Sequence, residues 1–193
     1  MNTMTRIALT SGFMGRKYLV GLTCYTCSVL GVEAIILLGD VVSPSIIQRL
    51  LQCGMRVYGV LGRYDDASVA STLSSMGSLI DCKLVKIGDL NVYGYGLSGC
   101  KHRSTEGGVV DLLVSSLSGR IYTCCNEVRG PIDPLVELLK PRLVATGGCS
   151  KPCSKHQLFS PGGVEHGYIG VVESEGNKLD VILLNMYSVI RTL

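Results

Sequence analysis

The side chains able to do chemistry in this chain are mostly sulfur: nine cysteines stand against three histidines. Four of the cysteines fall in two short segments, Cys124-Cys125 and Cys149-x3-Cys153. Thiolates at such spacing suit a soft cation such as zinc. Small buried cysteines equally fill space as weak hydrophobes, and a disulfide between two of them is a third outcome that geometry decides. Cys24 and Cys27 have a C-x2-C spacing but lie deep in a predicted helix. A thiolate is stabilised at a helix N-terminus, so this pair reads as core. An odd cysteine count leaves at least one thiol unpaired within the chain. The histidines are scattered, with His102 in a loop, His156 at the start of a strand and His166 in a turn, and each reads as solvated or structural.

A second cluster joins Asp40 to Gly62-Arg63-Tyr64-Asp65. Asp40 and Asp65 can hold Arg63 in an ion pair. Alternatively, Asp40 caps the helix that begins near Ser43, and Arg63 faces outward to bind a phosphate or carboxylate bidentately. The glycines of Gly94 to Gly99 follow a strand but lack the Lys-Ser/Thr ending of a phosphate loop, so they read as a turn.

Composition limits what these groups can serve. The 193 residues are 47% hydrophobic and 17% charged, with 18 Lys and Arg against 15 Asp and Glu. Mean hydropathy is +0.36, which excludes disorder. A chain of this length buries roughly 70% of its unfolded surface, so a single domain over residues 1–193 can form a core without disulfides or a metal. The longest uncharged stretch, Tyr18 to Val32, contains Thr, Ser and Cys and falls short of the about 18 apolar residues of a membrane span. No signal peptide is evident before Arg16 and Lys17, so a cytoplasmic protein with reduced thiols is expected. The net charge of +3 is spread along the chain, and no dense Lys/Arg run supports nucleic-acid binding.

The elements that must position these residues alternate. Arg6 to Ser11, Ala34 to Gly39 and Arg56 to Leu61 read as strands, followed by helices over Gly15 to Leu30, Ser43 to Cys53 and Asp66 to Met76. That rhythm means parallel βαβ units with right-handed crossovers. Lys83 to Ile87 and Leu90 to Tyr95 form a hairpin around Gly88-Asp89. Then come a helix over Gly107 to Ser116, a strand over Arg120 to Cys124, a helix over Asp133 to Leu139 and a strand over Arg142 to Thr146. Three strands close the chain, Gln157 to Phe159, Gly167 to Glu173 and Lys178 to Asn185.

In an open α/β sheet, ligands sit beyond the carboxyl ends of the strands. Read there in order, Ser11-Gly12-Phe13-Met14, Gly39-Asp40, Gly62-Arg63-Tyr64-Asp65, Thr123-Cys124-Cys125-Asn126-Glu127 and Thr146-Gly147-Gly148-Cys149-Ser150 resemble the calcineurin-like metallophosphoesterases over nearly the whole chain. Ser160-Pro161-Gly162-Gly163 is similar to that family's N-P-G-S turn. The resemblance implies a four-layer α/β/β/α sandwich with mixed sheets, and in intact members two divalent metals that clamp a phosphoryl group and activate water. Carried over by position, the metal ligands D-x-H, G-D, G-N-x-D, His and G-H-x-H fall on Gly12, Met14, Asp40, Arg63, Cys124, Gly148 and Ser150. Asp40 alone keeps a ligand's chemistry, and a guanidinium at 63 stands where a cation should. Asp65 matches an Asp that supports the loop without binding metal.

The resulting expectation is a metal-free pseudoenzyme, acting as a scaffold or as a ligand-binding or regulatory subunit. It would work with a protein partner, a second copy of itself or a small anion at Arg63, and no cofactor is expected. Two alternatives stay open. One is a phosphoric ester hydrolase with an atypical manganese, iron or zinc site. The other is a zinc or redox site at Cys124, Cys149 and Cys153.

Overall fold

The computed structural model describes residues 4–97, 99–100, 108–127 and 129–191. In chain order the elements are β1 (Thr5–Thr10), α1 (Leu19–Val29), β2 (Ala34–Leu38), α2 (Pro44–Gln52), β3 (Arg56–Val60) and α3 (Ala67–Ser75). They continue with β4 (Leu84–Ile87), β5 (Leu90–Tyr95), β6 (Leu112–Ser115), α4 (Asp133–Leu139) and β7 (Leu143–Thr146). The last are β8 (Cys153–Lys155), β9 (Leu158–Ser160), β10 (Tyr168–Glu175), β11 (Lys178–Asn185) and α5 (Met186–Arg191). Among the described residues no helix is long and apolar enough to cross a membrane.

Two mixed sheets result, one ordered β11-β10-β1-β2-β3 and the other β4-β5-β6-β7-β9-β8. The central strands show why they stack. All five residues of β2 are buried: Ala34, Ile36 and Leu38 point into the space between the sheets, while Ile35 and Leu37 meet the helices. The outer helices supply Leu19, Ile46, Ile47, Leu50, Val69 and Leu73 to that face. On the far side, α4 packs Leu135 and Val136 against Tyr93, Leu113 and Val144 of the second sheet. The layers are α/β/β/α, as expected from the strand-end motifs.

Local signals explain most boundaries. Pro44 at the first turn opens α2. Asp66 caps α3 by accepting from the N–H groups of Ser68 at 2.9 Å and Val69 at 3.2 Å.

Several expectations fail for physical reasons. The helix expected over Gly107 to Ser116 is the strand β6, with its first residue, Gly107, outside the described residues. All four residues of β6 are buried between neighbours, and a short apolar run reads the same as strand or buried helix. The strand expected over Arg120 to Cys124 does not form, because the Asp133 carboxylate accepts the N–H groups of Arg120, Ile121 and Tyr122 and keeps them from any ladder. β8 is an addition, and His156 sits at φ 53° in the turn between β8 and β9 instead of beginning a strand. His166 ends a short 3-10 turn, Val164–His166, and His102 lies outside the described residues.

Candidate functional site

A cleft of about 160 Å³ opens at the carboxyl ends of β1, β2, β3 and β7. It gathers six of the seven positions onto which the resemblance carried metal ligands: Gly12, Met14, Asp40, Arg63, Gly148 and Ser150. Cys124 is held apart in a disulfide to Cys153.

The loop presenting Asp40 is conformationally unusual. Gly39 at φ 84°, Asp40 at φ 59° and Val42 at φ 69° all occupy left-handed space, which a β-branched residue such as Val42 resists. Asp65 holds this loop in place. Its carboxylate accepts from the N–H groups of Asp40, Val42 and Gly62, each at 2.8 Å. The loop-supporting role implied for Asp65 is thus visible in its contacts.

Asp40 does not cap α2. Its Oδ1 accepts from the Tyr64 N–H at 3.0 Å. Burial, foremost, raises its carboxyl above the ordinary range, the Asp65 charge adds to this, and the Tyr64 N–H opposes it. Among the described residues Arg63 makes no ion pair, so the Asp40–Arg63–Asp65 plug does not form. The guanidinium is exposed at the mouth of the cleft.

Two acidic residues that the sequence did not single out complete the lining. Glu165 arrives because the segment after β9 pairs with the segment after β1: Ser11 bridges Gly163, and Val164 N–H donates to the Ser11 carbonyl at 2.8 Å. Its carboxylate then occupies the space a side chain at residue 12 would need, since a Cβ on Gly12 would stand 2.5 Å from Glu165 Oε2. That oxygen is buried without a hydrogen-bond partner. Glu127 closes the other side by accepting from the Ser150 hydroxyl at 2.6 Å and from its N–H at 3.0 Å. Glu127 ends the segment Thr123 to Glu127 but was given no role there, and Glu165 belongs to no motif.

A dinuclear centre needs several donors converging on each cation. Asp40, Glu127 and Glu165 share the cleft but do not converge. Among the described residues, the only three ligating side chains with donor atoms all within 4.8 Å of one another are Cys124, Cys149 and Cys153. The residues present therefore do not fit the two-metal site.

Those sulfurs are oxidised in this structure. Disulfides join Cys24 to Cys53, Cys82 to Cys100, Cys124 to Cys153 and Cys125 to Cys149. Cys24 therefore departs from the core reading and ties α1 to the end of α2. Cys27 keeps that reading as a buried free thiol, pushed up to about 12 by burial.

No protein-family profile and no curated protein sequence matches the chain. Its likeness is to solved structures. A dimetal phosphatase from Danio rerio superposes with a TM-score of 0.68 at 11% identity, covering 94% of this chain and 96% of its own. A novel archaeal phosphodiesterase superposes at 0.56 and 17% identity, covering 93% and 100%. GAP50, the anchor in the inner membrane complex of Plasmodium, superposes at 0.65 and 10% identity, covering 95% and 85%. These superpositions over nearly the whole chain show that it has the calcineurin-like metallophosphoesterase fold.

Proposed function

We propose that this chain is a single-domain phosphoesterase-fold protein that no longer assembles a dinuclear centre and acts as a non-catalytic scaffold. One observation supports this above the others: the Glu165 carboxylate fills the space of the absent side chain at residue 12 without converging with Asp40 and Glu127 into a ligand set. The cleft of about 160 Å³ is smaller than the roughly 300–1,000 Å³ of organic-ligand sites. A small anion at Arg63 has weaker support than a partner, since Asp40, Glu127 and Glu165 surround the same cleft with negative charge. Exposed Tyr18, Val109 and Ile121, at 71%, 71% and 73%, offer apolar contact for another protein or a second copy. GAP50, an anchor on the same fold, is a precedent for such use.

Four disulfides favour an oxidising compartment, or the cytosol of a hyperthermophile, over an ordinary reducing cytoplasm. The functional test is turnover of an aryl phosphodiester by the oxidised chain with added manganese. Release of product at the background rate is expected. Turnover above background that is lost on Asp40→Ala would overturn the reading and restore the atypical hydrolase.

A further inference from the structure

We infer that Cys124, Cys125, Cys149 and Cys153 form a redox-gated zinc site, closed as two disulfides when oxidised and able to bind one Zn²⁺ through four thiolates when reduced. The inference goes beyond the scaffold reading and does not depend on it.

Placement is the first argument. Two loops meet here, one after β6 bearing Cys124 and Cys125, the other after β7 bearing Cys149 and running to Cys153 at the start of β8. Each loop contributes two sulfurs, and the C-x3-C spacing of the second lies within the range of structural zinc sites. The sulfurs of Cys149 and Cys153, which belong to different disulfides, are 4.0 Å apart. Cys124 joins them with all three sulfurs inside 4.8 Å, and Cys125 lies one bond from Cys149. A tetrahedral centre with zinc–sulfur bonds of about 2.3 Å needs sulfurs about 3.8 Å apart. The contact between the two disulfides is already close to that spacing. Once the S–S bonds are broken, each former pair has to open from bonded contact by rotation of the half-buried Cys124, Cys125 and Cys153 about the buried Cys149.

Redundancy is the second argument. The Cys125–Cys149 loop of 24 residues lies inside the Cys124–Cys153 loop of 29 residues. Closing the outer loop already removes most of the chain entropy that the inner one would remove. The second bond therefore adds little as a staple, whereas a four-ligand site needs all four sulfurs.

The chemistry balances with a thiol or phosphine reductant. Two electrons cleave each S–S bond, so four electrons yield four thiols and the oxidised form of the reductant. Zn²⁺ then displaces protons as the thiolates bind, which makes affinity rise with pH. Cys149 also lines the cleft and directly precedes Ser150, whose hydroxyl and N–H are held by Glu127, so the redox state of these sulfurs is felt at the cleft wall.

The test uses the wild-type chain. After phosphine reduction and desalting, it is loaded with Zn²⁺, and the cysteines are alkylated and mapped by peptide mass spectrometry against a zinc-free control. One zinc per chain is expected in the reduced protein and none in the oxidised protein, with shielding confined to Cys124, Cys125, Cys149 and Cys153. Cobalt in place of zinc should give the visible bands of a tetrahedral tetrathiolate site, lost in Cys149→Ser. Absence of zinc from the reduced chain, or shielding at Cys24, Cys53, Cys82 or Cys100 instead, would refute the site without depending on a variant that folds. Either failure leaves the scaffold reading intact, and hydrolysis by the oxidised chain would overturn only that reading.

Discussion

Two aspartates mark the extremes of what a carboxylate does in this protein. Asp65 accepts three backbone N–H groups and fixes the left-handed loop that presents Asp40. Hydrogen bonds to a charged acceptor contribute about 1.5–3 kcal/mol each, less where water reaches them. Asp65→Ala should cost about 3 kcal/mol in urea unfolding, with Asp65→Asn intermediate. A loss below about 0.5 kcal/mol would show that the loop stands without it.

Asp81 is the opposite case. Burial pushes its carboxyl up to about 6, and one Leu61 N–H at 3.2 Å compensates only in part. Between the unfolded value of 3.8 and the folded value of about 6, the folded chain binds more protons than the unfolded one. Stability therefore falls as pH rises through that window. The ionised form costs about 3 kcal/mol at neutral pH, because each tenfold change in proton affinity corresponds to about 1.4 kcal/mol. Asp81→Asn should stabilise the protein by up to that amount at pH 7.5, with the gain gone below pH 4. Denaturant midpoints at the two pH values measure both, and a variant less stable at pH 7.5 would contradict the account.

At the scale of elements, Cys24–Cys53 links α1 to α2 across 29 residues and pins two helices that already share a core with Ile46, Ile47 and Leu50. A loop of that length corresponds to about 3–4 kcal/mol of unfolded-state entropy. Cys24→Ala with Cys53→Ala should lower stability by that order without changing the far-ultraviolet circular dichroism. A loss of helix signal would instead mean that the bond makes the helices.

Much of the element order was legible because β2 and β3 are short, largely apolar runs flanked by glycines, and because Pro44 and the pair Asp65-Asp66 signal helix starts, the structure choosing Asp66 as the cap. The exceptions share one cause. Residues 120–122 resemble a strand in type, but a carboxylate eleven to thirteen positions away takes their N–H groups. β6 reads as helix or strand until its two neighbours are in place. Long-range partners decided both.

At the scale of the molecule, the fold was legible from strand-end motifs read in order, of which four follow a strand and the fifth, at Cys124, does not, whereas the site was only half so. Gly12, Met14, Arg63 and Gly148 could be placed from the sequence because the resemblance sets them where the family has ligands. Glu127 and Glu165 do not announce their arrival, because pairing between Ser11 and Gly163 and contact with Ser150 bring them in. The disulfides were beyond reach for another reason: eight paired cysteines admit about 105 connectivities, and composition selects none of them. Three apolar clusters hold the layers together independently of the sulfurs. Full reduction should therefore keep the circular dichroism at 25 °C while lowering the melting temperature by on the order of 20 °C. Unfolding at 25 °C on reduction would show that the core does not suffice.

The carboxylate that leans over Gly12 also governs what residue 12 can carry. An aspartate placed at residue 12 would meet Glu165 Oε2 from its Cβ outward, at a φ of 66° that aspartate tolerates better than most residues, as Asp40 does at 59°. Because that contact is with the flexible end of Glu165, about 150 positions away, a side chain at residue 12 must first swing this carboxylate out of its buried place.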